Sequence, residues 1–164
     1  MEIRNRTNGP YSDQELAEIV RIASQGLLFT REVRVTFHRK RWRFFHGRSP
    51  GWTWGFTLPG ERHRRVVVQV PGSRKVRRSS STSMMSPAQR EKSRKKGYLP
   101  KPEMRGIEIP VFDTAHELCH ASEARCSLSP SGRRARETAA DTHALLILDN
   151  LRKGGGILGM GPAQ

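Results

Sequence analysis

Five consecutive residues constrain this chain more than any others. His116-Glu117-Leu118-Cys119-His120 is an H-E-x-x-H run inside Val111 to Arg125, a stretch that reads as helix. Residues four apart share a helix face, so His116 and His120 can point at one metal ion. Neutral imidazole nitrogens suit Zn²⁺, which in catalytic sites takes three protein ligands and leaves one position open. Glu117 can reach a water there and act as general base, with the metal as Lewis acid. With 6 His and 11 Glu in 164 residues, shuffling would produce the motif in about one or two chains per hundred. The motif therefore calls for a third ligand.

The segment after Cys126 supplies one. Glu137-Thr138-Ala139-Ala140-Asp141 begins a second helical stretch, sixteen residues beyond His120. Glu137 and Asp141 are again four apart, and Ala144, Leu148 and Leu151 continue their face, so that face points inward. Carboxylates on an inward face are costly unless paired or metal-bound. The competing reading of Glu137 is a solvated charge near a helix start.

H-E-x-x-H followed by a downstream helix with E-x-x-x-D resembles the gluzincin metallopeptidases. The resemblance implies that His116, His120 and Glu137 hold zinc, that Glu117 is the general base, and that Asp141 orients a zinc-binding imidazole, His116. The run Glu137 to Leu148 also resembles the ImmA/IrrE family and the minimal one-domain gluzincins. It departs from them at Asp141, where they often carry Asn, and at His143, where they often carry Phe. The resemblance covers about residues 107–152. It implies an α+β, zincin-like domain over 1–152, with an N-terminal helix on a three- to four-stranded sheet, then the H-E-x-x-H helix and the glutamate helix. The implied activity is zinc-dependent hydrolysis of peptide bonds. Tyr98, His143 and His63 are candidate donors to the transition-state oxyanion. For His143, two residues past Asp141, a satisfied structural histidine competes with that role. Cys119 reads as a small buried thiol or as a ligand in a resting state.

The rest of the chain reads as scaffold and charge. Ser12-Asp13-Gln14-Glu15 is a capping box, and Leu16, Ile19, Val20, Ala23 and Leu27 recur at helical spacing, predicting a helix over 12–26. Residues 1–11 read as polar, with a turn at Asn8-Gly9-Pro10. Alternation predicts a half-buried strand from Glu32 to Phe37, another strand over Trp52 to Leu58, and a β-branched buried strand over Arg65 to Val70. Ile107-Glu108-Ile109 reads as a short strand leading to Pro110. Arg39 to His46 interleaves cations with aromatics, which suits either base stacking or a core strand with solvated charges. Residues 71–106 are a basic, apolar-poor excursion with a short polar helix over Pro87 to Lys95. The glutamate helix should run from Arg133 to Arg152, and 153–164 is a Gly-rich tail.

Net charge is +15, which favours acidic partners: nucleic acid, a nucleic-acid-bound protein or an acidic peptide. A second reading is therefore a non-enzymatic, basic nucleic-acid-binding protein with a structural or vestigial zinc site. Two cysteines make no disulfide framework. No apolar leader or membrane-length run is present. The expectation is a reduced, cytoplasmic protein.

Overall fold

The computed structural model describes residues 1–39, 51–52, 63–80, 85–95, 99–122 and 133–154. Six strands are present among them: β1 (Glu2–Arg6), β2 (Glu32–Arg39), β3 (Gly51–Trp52), β4 (His63–Val70), β5 (Arg77–Arg78) and β6 (Met104–Arg105). Four helices join them: α1 (Asp13–Ala23), α2 (Pro87–Lys95), α3 (Glu108–Ala121) and α4 (Arg133–Arg152). The main sheet has the order β1-β2-β4-β3, with β1, β2 and β4 parallel and β3 antiparallel at one edge. β5 and β6 form a separate antiparallel pair. The chain is thus a mixture of helices with a small sheet. Strand directions are not legible in the sequence.

The first unit is a parallel β-α-β crossover, with α1 linking β1 to β2. The helix starts where the capping box places it. The Glu15 backbone N–H donates to Ser12 Oγ at 3.2 Å, and the Ser12 N–H donates to Glu15 Oε2 at 2.8 Å. Leu16, Ile19, Val20, Ile22 and Ala23 form its buried stripe. It ends at Ala23 rather than near 26, and Gly26 takes a φ of 75° in the turn that follows. That left-handed conformation favours glycine.

Strand β1 departs from the polar reading of the first residues, because Ile3 is the sole apolar side chain in Glu2–Arg6. Its inward positions are Ile3 and Asn5, and Asn5 Nδ2 donates to Tyr11 O and Asp13 Oδ1 at the start of α1. Pairing with β2, far along the chain, makes the strand. β2 and β4 follow their alternation, sending Val33, Val35, Phe37, Val66, Val68 and Val70 into the core. Of the expected Trp52 to Leu58 strand, β3 covers Trp52; residues 53–58 lie outside the described residues, as do 40–46 and the tail from 155.

The expected strand at Ile107-Glu108-Ile109 is not there. The strand lies earlier, at Met104–Arg105, Gly106 turns the chain with φ 48°, and α3 begins at Glu108. Pro110 sits in the first helical turn, where a missing N–H costs nothing. α3 ends at Ala121 rather than 125, with Ser122 extended. Arg64, the second residue of β4, donates from Nη1 to Ala121 O at 2.5 Å. A cation there answers the open carbonyls of a helix end. α4 spans the expected residues.

α3 packs against α4, α1 and β4. Ile109, Val111, Phe112, Ala115 and Leu118 join the core, and Ala144, Ile147 and Leu148 of α4 close it. The basic excursion is tied down at both ends. Met104 is fully buried, and Arg74 donates to Pro10 O and Glu15. Between these ends α2 occupies its expected span with no buried residue. No helix among the described residues is long and apolar enough to cross a membrane.

Removing the α1 cap with Ser12→Ala should lower stability by about 1 kcal/mol. Truncating the core with Phe37→Ala should cost about 3–5 kcal/mol. Urea unfolding monitored by circular dichroism reads both; equal effects would mean that Phe37 is not the packed residue described.

Candidate metal centre

One turn of α3 sets His116 and His120 side by side. Their rings meet edge to face with centroids 4.8 Å apart, and their Nε2 atoms are 3.2 Å apart. α4 brings Glu137 across from them: Oε2 lies 3.5 Å from His116 Nε2, and Oε1 lies 3.6 Å from His120 Nε2. Three donors at 2.0–2.1 Å from a tetrahedral ion are separated by about 3.4 Å. The triangle of 3.2, 3.5 and 3.6 Å therefore has the size of one face of that tetrahedron. His116, His120 and Glu137 can hold a metal ion. The imidazoles are largely covered, with 14% and 15% of their side chains exposed, whereas Glu137 is 44% exposed. The group opens to solvent on the α4 side.

The remaining contacts decide which proton sits where. His116 Nδ1 lies 2.9 Å from Asp141 Oδ1. The two atoms are close without completing an aligned hydrogen bond, and a carboxylate so placed favours the proton on Nδ1 and the lone pair on Nε2, the tautomer a metal ligand needs. Asp141 is buried, and its Oδ1 also meets Lys101 Nζ at 3.0 Å. The same ammonium lies 5.4 Å from the centre of the Phe112 ring. Burial pushes the Asp141 carboxyl up, but His116 and Lys101 outweigh it and hold it below the usual range.

Glu117 is buried, with 7% exposure. Burial is the main reason its pKa rises to about 7; the charges of Asp113 and Glu137 add to the rise, while His116 and Lys101 oppose it. A carboxyl that titrates near neutrality suits a general base. For His116, burial favours the neutral ring, yet contacts with Asp141 and Glu137, with the charges of Glu117 and Asp141, raise its pKa to about 9. Contacts from His116 and His120, at 3.5 and 3.6 Å, pull the Glu137 carboxyl well below its ordinary value.

The structure thus gathers His116, His120, Glu137 and Asp141, with Glu117 one residue along α3. It does not gather every candidate. His143 is turned away: its Nε2 is 3.0 Å from Ala23 O at the end of α1. Two residues past Asp141 is about 200° around the helix, so His143 ties α4 to α1 and is not placed to stabilise an oxyanion. Tyr98 and Cys126, and the side chain of His63, lie outside the described residues. Cys119 is buried and its thiol pKa is raised by burial, as for a packed thiol.

Three further residues matter that sequence reasoning misses. Arg78 makes a two-pronged pair with buried Asp113, both contacts at 2.7 Å. Lys101 holds Asp141, and Ser80 Oγ donates to Lys101 O at 3.0 Å. Asp113 carries a usable signal, since it lies four residues before Glu117 and shares its face. Arg78 and Lys101 stand among many cations, with no local pattern to mark them. Through them both ends of the basic excursion are fastened to the helices of the site.

No known protein family, curated protein or solved structure matches the chain.

The pairing of His116 with Asp141 sets a pH window. The pKa of His116 is raised from 6.5 to about 9, so its stabilisation is fully present below about 6.5 and is lost as pH rises through about 9. Chelator-treated protein should lose thermal stability across that window, and Asp141→Asn should flatten the loss. Zinc competes with the same proton, so zinc affinity should rise over the same window. Melting and metal titration against pH measure both; an affinity independent of pH would exclude His116 as a ligand.

Proposed function

We propose that this chain is a zinc-dependent metallopeptidase of the gluzincin type, with His116, His120 and Glu137 as ligands and Glu117 as general base. The observation that carries the reading is the donor triangle of 3.2, 3.5 and 3.6 Å, built from two helices around an H-E-x-x-H run. Two imidazoles and a carboxylate form a set suited to zinc that leaves a fourth position open.

Zinc bound there supplies Lewis acidity and makes an adjacent water more acidic. Glu117 takes the proton from that water and returns it to the departing amine, a double duty that suits a carboxyl titrating near 7. Asp141 keeps His116 in the metal-binding tautomer, and Lys101 keeps Asp141 in place. β3 is one edge of the main sheet and lies against α3. An extended peptide added to that edge would lie beside the site, held by main-chain hydrogen bonds. The charge of +15 favours acidic substrates, including proteins bound to nucleic acid.

The charge also supports the second reading, a basic binding protein whose zinc is structural. A buried general base beside the ligands favours the first, because a structural site has no use for Glu117.

Metal content by mass spectrometry tests the assignment. Wild type should hold about one zinc per chain, Glu137→Ala should lose it and Glu117→Gln should keep it. Lys101→Ala and Asp141→Asn should weaken zinc binding by about 10–100-fold. Wild type free of zinc, or Glu137→Ala binding it unchanged, would overturn the ligand set. A Glu117→Gln protein that still cleaves a peptide library would overturn the catalytic role.

A further inference from the structure

The main sheet has a second face with its own chemistry. Alternation sends Val33, Val35, Val66, Val68, Val70 and Phe37 inward, so the residues between them face away from α1 and α3. The register places Glu2 beside Arg34 and Arg34 beside Arg65 in one row, with Arg4 in the next and Arg6 beside His38 in the third. Glu2, Arg4, Arg6 and Arg65 are exposed, and Arg34 and His38 are half-buried.

Like charges on neighbouring strands repel. Here Arg34 directly neighbours Arg65 across the β2–β4 pairing. The Glu2 carboxylate is shared between two cations: it meets Arg4 Nε at 2.6 Å and Arg34 Nε at 2.5 Å. A second carboxylate, Glu32, stands at the start of β2 on the same face. Burial, together with the charge of Arg6, holds the His38 ring below its ordinary pKa, so the crowding is felt on the third row too. Among the described residues, the outward positions of these strands carry four guanidinium groups and two carboxylates. Parallel strands are ordinarily covered on both faces, and these present cations on one.

Two features identify what would cover it. All four permanent cations on these strands' outward positions are arginines, whose flat fork matches phosphate oxygens in pairs. The register also sets Thr36, Val67 and Gln69 on the face, all half-buried, so among the described side chains no exposed apolar group is there to enter a bilayer. We infer that the outward face of β1, β2 and β4 binds the phosphate backbone of nucleic acid, without base readout, through Arg4, Arg6, Arg34 and Arg65. The bonds are to phosphates, so affinity is independent of sequence and falls steeply with salt. The surface lies across the sheet from the metal centre and does not rest on the peptidase reading.

The test compares two variants of equal net charge in the full chain. One carries Arg4→Gln, Arg6→Gln and Arg65→Gln; the other carries Lys75→Gln, Arg90→Gln and Lys92→Gln in the basic excursion. Fluorescence anisotropy with a short random-sequence DNA duplex is followed against salt. The sheet variant should bind at least about tenfold more weakly, with a salt slope shallower by about one for each arginine that no longer neutralises a phosphate. The excursion variant should stay within about twofold of wild type, since diffuse charge is screened. Equal weakening of the two variants would overturn the assignment, as would a sheet variant that binds like wild type. Tighter binding to phosphatidylserine-containing vesicles than to the duplex at the same salt would overturn the choice of nucleic acid. If the triple variant loses cooperative melting, Arg6→Gln alone, at an exposed position, must weaken binding and flatten the slope, or the inference fails.

Discussion

Helix α3 is covered by apolar neighbours along most of its length, yet it carries Asp113, His116, Glu117 and His120. Charged and polar groups withdrawn from water cost several kcal/mol each unless they are paired. Most of the remaining architecture answers that demand. Arg78 comes from β5 to meet Asp113, and Asp141 and Glu137 come from α4 to meet the two imidazoles. Lys101 arrives from the chain between α2 and β6 to share the Asp141 oxygen. Glu117 answers burial differently, through a proton affinity raised until the group titrates near neutrality. The contact between His116 and Asp141 joins α3 to α4 at 2.9 Å. Without it, the largely covered His116 ring would have no carboxylate beside its Nδ1.

A chain with 30 basic and 15 acidic residues is a poor setting for a divalent cation. The difficulty is local rather than global, because exposed charges are screened beyond about 8–10 Å. Inside that radius, Asp113, Glu117, Glu137 and Asp141 are brought together by two helices. Arg78 and Lys101 each point at an outer carboxylate, Asp113 or Asp141, rather than at the donor triangle. The cations hold the frame and leave Glu137 to the imidazoles. Neighbouring carboxylates raise the pKa of His116 against the effect of burial, whereas for Glu117 burial is the main cause and the charges of Asp113 and Glu137 add to it.

The helices that carry the chemistry are legible because their signals are local. The capping box at Ser12, the spacing of His116 with His120 and of Glu137 with Asp141, and the alternation in β2 and β4 each lie within a turn or a strand. β1 is not legible, since a polar segment becomes a strand only by pairing with β2. The strand read at 107–109 belongs to 104–105, displaced by a glycine turn and by a proline that fits a helix start as well as it ends a strand. Arg78 and Lys101 reach the site across 35 and 40 residues of sequence. They share their composition with every other cation of the excursion. His143 is separated from the site only through its angle around α4, which turns it to the carbonyl of Ala23.

Strand β4 shows how one alternation can fix two surfaces. Arg64 and Arg65 are adjacent and identical, yet their surroundings differ completely. Arg64 points inward and holds the last carbonyls of α3, while Arg65 points outward beside Arg34. Nothing in either side chain chooses between these places. The choice is made by Val66, Val68 and Val70, all fully buried, which can reach the core in one register only. A slip of one residue would expose those valines and send Arg65 towards the end of α3. The apolar pattern that builds the core therefore also supports the metal-centre helix and sets the spacing of cations on the opposite face. Neither surface can change register without loss of the fold.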